Sequence, residues 1–343
     1  MSYYLYVPIS TDNQLLVFAM DADSGQLEPK HQITLSKNGF AVAADPKRQC
    51  LYVGLRDGDE HAIGSYAIDP ATGALTPLGE VAVAAMPCYL FADHTGRFLL
   101  AAYYVGGMAT VHAIGGDGAL QDPAVDTYET ERFAHYIATD PSNRYAFVPH
   151  VESANSIYQF LFDADTGKLS PNPAVPILAC GPGEGPRHLA FHPHLDVVYA
   201  DNEQGSSVTV YRFDTDQGTL QAVQTVSTLP DEDFPGRSAN SNAQLHIQPS
   251  GKSIYASNRG HDSIAMFAID PATGLIRSLG QQPGEATPRP FAIEPQGKFM
   301  YGGGDGSTRL VSYRIDEIGR LEPFGAPYEL GGSTCWVYPL KVG

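Results

Sequence analysis

A strand-and-turn unit of about 49 residues recurs seven times along the 343 residues of this chain. Its clearest mark is a turn shaped like Asp-x-x-Thr-Gly-x-Leu, seen as DADSGQL from Asp21, DPATGAL from Asp69, DADTGKL from Asp163, DTDQGTL from Asp214 and DPATGLI from Asp270. Looser copies are GGDGAL ending at Leu120 and DEIGRL from Asp316. The glycines are Gly25, Gly73, Gly118, Gly167, Gly218, Gly274 and Gly319. A tight hairpin needs positive φ at such a position, and the aspartate side chain can bond the turn backbone.

A second mark alternates with the first. It is a short apolar strand, a polar turn, then a strand ending in aromatic and small residues, as in AVAADPKRQCLYVG from Ala41 or LHIQPSGKSIYASN from Leu245. Six copies of this unit stand against seven turns. The N-terminus opens directly at the second strand type, YYLYVPIS, and the unmatched strand is STCWVYPL, Ser333 to Leu340. The pattern predicts an all-β, seven-bladed β-propeller with four antiparallel strands per blade, lettered A to D from the centre outward. The last strand is expected to complete the blade begun by the N-terminus, leaving no open edge. All of 1–343 is read as one domain, because a closed repeat can hold a chain of this length. With 35 Gly, 26 Pro, 19 Tyr and 15 Phe, the composition suits short strands and tight turns rather than a helical solenoid.

Net charge is −17, from 21 basic and 38 acidic residues, so nucleic acid and anionic membranes are not expected partners. No uncharged apolar run approaches membrane-spanning length, and MSYYLYV lacks a basic segment followed by an apolar core. Cys50, Cys88, Cys180 and Cys335 form no CxxC pair and read as free thiols in a reducing compartment. The expectation is a cytoplasmic protein, a monomer or weak homodimer.

In a ring of such blades, the loop leading into strand A and the loop leaving strand B open on the same face. With Asp45 and its equivalents as anchor, the residues five positions earlier are Phe40, Cys88, His135, Arg187, Ala243 and Arg289. Eleven positions later come Arg56, Tyr104, Val151 (beside His150), Glu203, Arg259 and Asp305. Any one of these arginines can be a structural partner for an acid of the next blade, and His135 alone can be a hydrogen-bonded structural histidine. Together they describe an ionisable rim. Guanidinium groups cradle carboxylates and phosphates, while a histidine and a carboxylate supply proton transfer.

Other motifs carry less. His188, His192 and His194 resemble a metal patch but lie in a strand and turn, not on a helix face. His246 alternates with apolar neighbours in a strand A and is a channel-facing candidate. GPGEGPRH, Gly181 to His188, lacks the Lys-Ser/Thr end of a phosphate loop, and no Gly-x-Ser-x-Gly elbow or EF-hand is present. Asp231-Glu232-Asp233 reads as a solvated loop.

The segments GEGPRHLAFHPHLDVVYADNE, AHYIATDPSNRYAFVPH and SNAQLHIQPSGKSIYASNRG resemble the bacterial lactonase family of seven-bladed propellers, which includes the propeller type of 6-phosphogluconolactonase and the fungal carboxymuconate cyclases. The resemblance implies a catalytic set of His135, Arg187, Glu203 and Arg259, all four already marked by the repeat register. Substrate contacts are expected from Arg56, Tyr104, His188, His246, Arg289 and Asp305. No metal and no cofactor are expected. The chain departs from many relatives at Cys88-Tyr89 and at Gly302-Gly303-Gly304. The implied activity is hydrolysis of a small anionic sugar lactone, with 6-phosphogluconolactone first, His135 activating water and Glu203 positioning it. Lactonisation of a carboxymuconate is the enzymatic alternative, and a non-catalytic, protein-binding propeller is the other.

Overall fold

The computed structural model describes residues 2–47, 49–230 and 235–342. Asp231, Glu232 and Asp233 lie outside them. The strands form seven antiparallel sheets arranged as blades in a ring. Among the described residues the only helical segment is one 3-10 turn, Arg237–Ala239, and no helix is long and apolar enough to cross a membrane.

Blade 1 is closed as expected. Its strand A, Tyr338–Val342, pairs with the N-terminal strand Ser2–Ile9, Tyr4 opposite Leu340. The closing strand runs further toward the C-terminus than Ser333 to Leu340. Ser333 and Thr334 instead latch the chain onto the N-terminal strand through Ser10 N–H to the Ser333 carbonyl (3.0 Å) and Thr334 Oγ1 to the Pro8 carbonyl (2.7 Å). Blade 4 departs from four strands. Its outer strand is split into Lys168–Pro171 and Ile177–Ala179, both paired with Ser156–Asp163, around the Pro171-Asn172-Pro173 break.

All seven turn glycines have positive φ, and Asp21, Asp163, Asp214 and Asp270 each accept backbone N–H bonds across their turns. The turns also join blades. The hydroxyl of a buried strand-B tyrosine reaches the carbonyl of a turn glycine in the next blade: Tyr6 to Gly73, Tyr52 to Gly118, Tyr199 to Gly274, Tyr255 to Gly319 and Tyr301 to Gly25. The last of these spans the closure of the ring at 2.7 Å. Apolar clusters fill each gap between blades, such as Leu5, Val7 and Phe18 of blade 1 against Phe299, Tyr301 and Leu310 of blade 7.

Tyr301→Phe keeps the ring packing but leaves the buried Gly25 carbonyl without its donor. A loss of about 1 kcal/mol in unfolding free energy is expected by urea titration. An unchanged midpoint would show that the hydroxyl does not hold the closure.

Candidate active site

Strand A begins, and strand B ends, at the same mouth of the ring. At that mouth the structure gathers Phe40 and Arg56 of blade 2, Cys88 and Tyr104 of blade 3, His135 of blade 4, Glu203 of blade 5, Arg259 of blade 6 and Arg289 of blade 7 around one cavity of about 650 Å³. That volume lies within the range of small-molecule sites. Residues from six blades converge because each blade offers the same two positions to the centre.

A local irregularity shapes the inner wall. In blades 2, 5 and 6 the pairing of strands A and B slips near the start of strand A, between Gly39 and Val42, between Pro186 and Leu189, and between Asn242 and Leu245. Such a bulge leaves residues out of the ladder and re-aims their side chains. In blade 5 the displaced pair is Arg187-His188. The His188 N–H, without a ladder partner, is taken by Asp201 Oδ1 at 2.8 Å.

Glu203 is the hub. Its Oε2 accepts from Arg187 Nε at 2.8 Å and its Oε1 pairs with Arg259 Nη2 at 2.9 Å. The Arg259 Nη2 also donates to the Asn242 carbonyl at 2.8 Å, while the buried Nε has no partner. Arg187 is 2% exposed and does not line the cavity. It stands behind Glu203, its Nη1 donating to His188 Nε2 at 3.1 Å. Burial draws the Arg187 guanidinium down to about 10, still charged at neutral pH.

His135 is buried among ring edges, 5.5 Å from both Tyr104 and His188. Its Nδ1 is sealed off with no hydrogen-bond partner. Nε2 is therefore the nitrogen able to meet a ligand in the cavity. Burial, and then the positive charges of Arg187, Arg289 and Arg259, hold the imidazole well below its ordinary pKa. The ring is neutral at pH 7, the form a general base requires.

Beneath this layer lies a wall of rings. His188 packs against Tyr89, Tyr136 and Trp336, and a second cavity of about 330 Å³ lies in the channel, lined by Tyr89, Gln244, His246 and Trp336 among others. Four sequence assignments change accordingly. His188 faces Arg187 and the ring wall rather than the cavity, because the bulge turns it inward. His246 does face the channel, but it belongs to the second cavity and bonds Gln244 Oε1 at 3.2 Å. Asp305 is the partner of Arg289 at 3.4 Å and does not line the cavity. Arg187 holds Glu203 from behind and does not line the cavity. Glu203, in turn, spends both oxygens on guanidinium groups, and no hydrogen bond joins it to His135.

Cys88 lines the cavity, but burial pushes its thiol up to about 12, and Sγ donates to the Ala102 and Ala134 carbonyls. It is not a thiolate nucleophile. The histidine patch is structural at His192, whose Nδ1 accepts the His194 and Leu195 N–H groups while Nε2 sits 3.1 Å from the Gly251 carbonyl. The repeat register missed Asp59, His61, Met86 and Val105, which also line the cavity. They come from hairpin tips and from the connection into blade 3. For His61 a signal existed, since it sits directly across the hairpin from Arg56.

The chain matches the seven-bladed β-propeller lactonase family over residues 4–338. It belongs to that family. Among curated relatives, a 6-phosphogluconolactonase of Pectobacterium carotovorum is 32% identical, with all of both chains covered. One from Klebsiella pneumoniae is 31% identical over 98% of each chain. The solved structure of a periplasmic gluconolactonase from Pseudomonas aeruginosa superposes with a TM-score of 0.90, covering all of both chains at 24% identity, which bears on the fold. The convergent mouth is thus the cavity of a lactonase-family propeller.

Proposed function

We propose that this cavity hydrolyses sugar lactones, 6-phosphogluconolactone being the substrate, and that His135 is its general base. The observation that carries the reading is a neutral histidine opening onto the same cavity as Glu203, Arg259 and Arg289.

Water held against His135 Nε2 gives up a proton as its oxygen attacks the lactone carbonyl carbon. The carbonyl oxygen becomes an oxyanion, which Arg259, fixed by Glu203, is placed to stabilise. Collapse breaks the bond between that carbon and the ring oxygen. The proton returns from His135 to the leaving alkoxide, giving a carboxylic acid and a hydroxyl group, and the acid ionises in water.

Arginine charge has a second effect. It depresses His135, which makes the imidazole a weaker base. An anionic substrate, or the oxyanion itself, offsets that field and raises the basicity of His135 when it is needed. The full-length likeness to proteins named 6-phosphogluconolactonase supports the choice of substrate. The free thiols of Cys50, Cys88, Cys180 and Cys335 support a reducing, cytoplasmic location.

The test is a turnover panel of phosphorylated and unphosphorylated aldonolactones with carboxymuconate alongside. Opening of 6-phosphogluconolactone well above its spontaneous rate is expected. Loss of the muconate chromophore without lactone opening would overturn the assignment in favour of cycloisomerisation.

A further inference from the structure

The arginines of the cavity are not equivalent. Arg259 is committed to Glu203, which the buried Arg187 holds from behind, and Arg289 faces Asp305. Arg56, at the end of the strand Cys50–Asp57, forms no ion pair among the described residues, although Asp57, Asp59 and Glu60 follow it. Glu60 meets Lys37 instead, at 3.9 Å, and Glu80 meets the same lysine at 3.6 Å.

Arg56 is nonetheless held in place. Its guanidinium lies over the Phe40 ring, 5.0 Å from the centroid. Stacking fixes the plane of a guanidinium while leaving its N–H edges free for an anion. Directly opposite on the hairpin is His61, the cross-strand partner of Arg56, and both line the cavity. Paired residues of this kind point to the same face of the sheet. Blade 2 stands across the seven-membered ring from blades 5 and 6, which supply Glu203 and Arg259. The cavity therefore has a reactive wall and, facing it, a wall whose guanidinium, Arg56, has no ion pair among the described residues.

We propose that Arg56 and His61 form a phosphate subsite that sets the preference for a phosphorylated lactone; this rests on the lactonase reading of the same cavity. A lactone phosphorylated at the end of the sugar remote from its carbonyl is the substrate class that spans the two walls. The phosphate dianion meets the free Arg56 N–H groups and the His61 ring while the carbonyl meets His135 and Arg259. Asp59 lines the same wall and repels a dianion, so Arg56 works against it.

The experiment compares kcat/KM for 6-phosphogluconolactone and for glucono-δ-lactone, each corrected for spontaneous opening, in the wild type and in Arg56→Gln, Arg56→Lys, His61→Gln and Asp59→Asn. Losing a charge-assisted contact to phosphate removes about 10–100-fold of the phosphorylated-over-unphosphorylated ratio in Arg56→Gln. Arg56→Lys retains part of it, His61→Gln shows a smaller fall in the same direction, and Asp59→Asn raises the ratio. A ratio within twofold of wild type in Arg56→Gln overturns the subsite. If the wild type opens neither lactone, the lactonase reading is what fails. The subsite is then read by calorimetric titration with 6-phosphogluconate and with inorganic phosphate. Binding that is lost in Arg56→Gln upholds it, and equal binding in both proteins overturns it.

Discussion

Glu203→Ala is expected to cost about 3–5 kcal/mol of stability and nearly all turnover. The carboxylate is the counter-ion of a fully buried guanidinium, Arg187, and of the half-buried Arg259. Removing it leaves Arg187 charged and uncompensated at 2% exposure, where water cannot replace the lost partner. For a chain of this size the thermal midpoint should fall by about 4–7 °C, read by calorimetry. Adding Arg187→Met to Glu203→Ala removes the stranded charge and should recover much of the stability, because a well-packed apolar group replaces a buried ion at little cost. Turnover should not return with it, since Arg259 still lacks the carboxylate that fixes it in the cavity. A midpoint unchanged by Glu203→Ala would mean that the arginines find another partner and that the hub is misassigned.

His135→Ala is the complementary case, a large loss of rate with little loss of stability. General acid–base assistance of this kind is worth about 10²–10⁴ in kcat. The buried Nδ1 has no partner to lose, and the side chain borders an open cavity that water can fill. Turnover measured by pH-stat should fall into that range while the thermal midpoint moves by little. Equal rates in wild type and variant would remove the histidine from the mechanism.

The same histidine sets an acid limit. Because burial and three arginines hold His135 well below 6.5, kcat/KM in the wild type should stay level through pH 6.5 and fall only at lower pH, as the base becomes protonated. Stability follows from linkage. His135, His150 and His188 are neutral and buried in the folded chain and His246 is neutral and half-buried, His150 and His246 being held at about 4 by desolvation. The unfolded chain takes up protons at these positions as pH drops through 6.5 while the native chain does not. Stability is therefore lost below that pH, at up to about 1.4 kcal/mol per pH unit for each group until its native pKa is reached. Asp201 opposes this trend. Burial raises its carboxyl to about 7, so the native chain keeps a proton that the unfolded chain releases, and stability is gained as pH falls below 7. One carboxyl against four histidines leaves a net decline from pH 6.5 downward, visible in urea midpoints measured between pH 7.5 and 5.

The architecture was legible because its marks are local and repeated. A glycine at positive φ with an aspartate ahead of it shows up in any one blade, and seven copies establish the period. The convergence of His135, Glu203, Arg259 and Arg289 on one mouth followed from the register alone, since every blade presents its strand A start and strand B end to the same side. What the register does not carry is which face a side chain takes beside a bulge. One extra residue in the ladder reverses the alternation, and so Arg187 and His188 ended behind the cavity instead of on its wall. Asp305 was displaced for a different reason, the guanidinium of Arg289 lying close enough to claim it. His61 escaped notice because hairpin tips vary in length and fall outside any fixed offset from the anchor.

A crystal structure of the His135→Ala protein with 6-phosphogluconate bound would show directly where the substrate sits. The product carboxylate is expected at the mouth, within hydrogen-bonding distance of Arg259 and beside the space vacated by the imidazole. Product seated in the channel next to His246, or on the outer surface of a blade, would rule out the mouth of the ring as the active site.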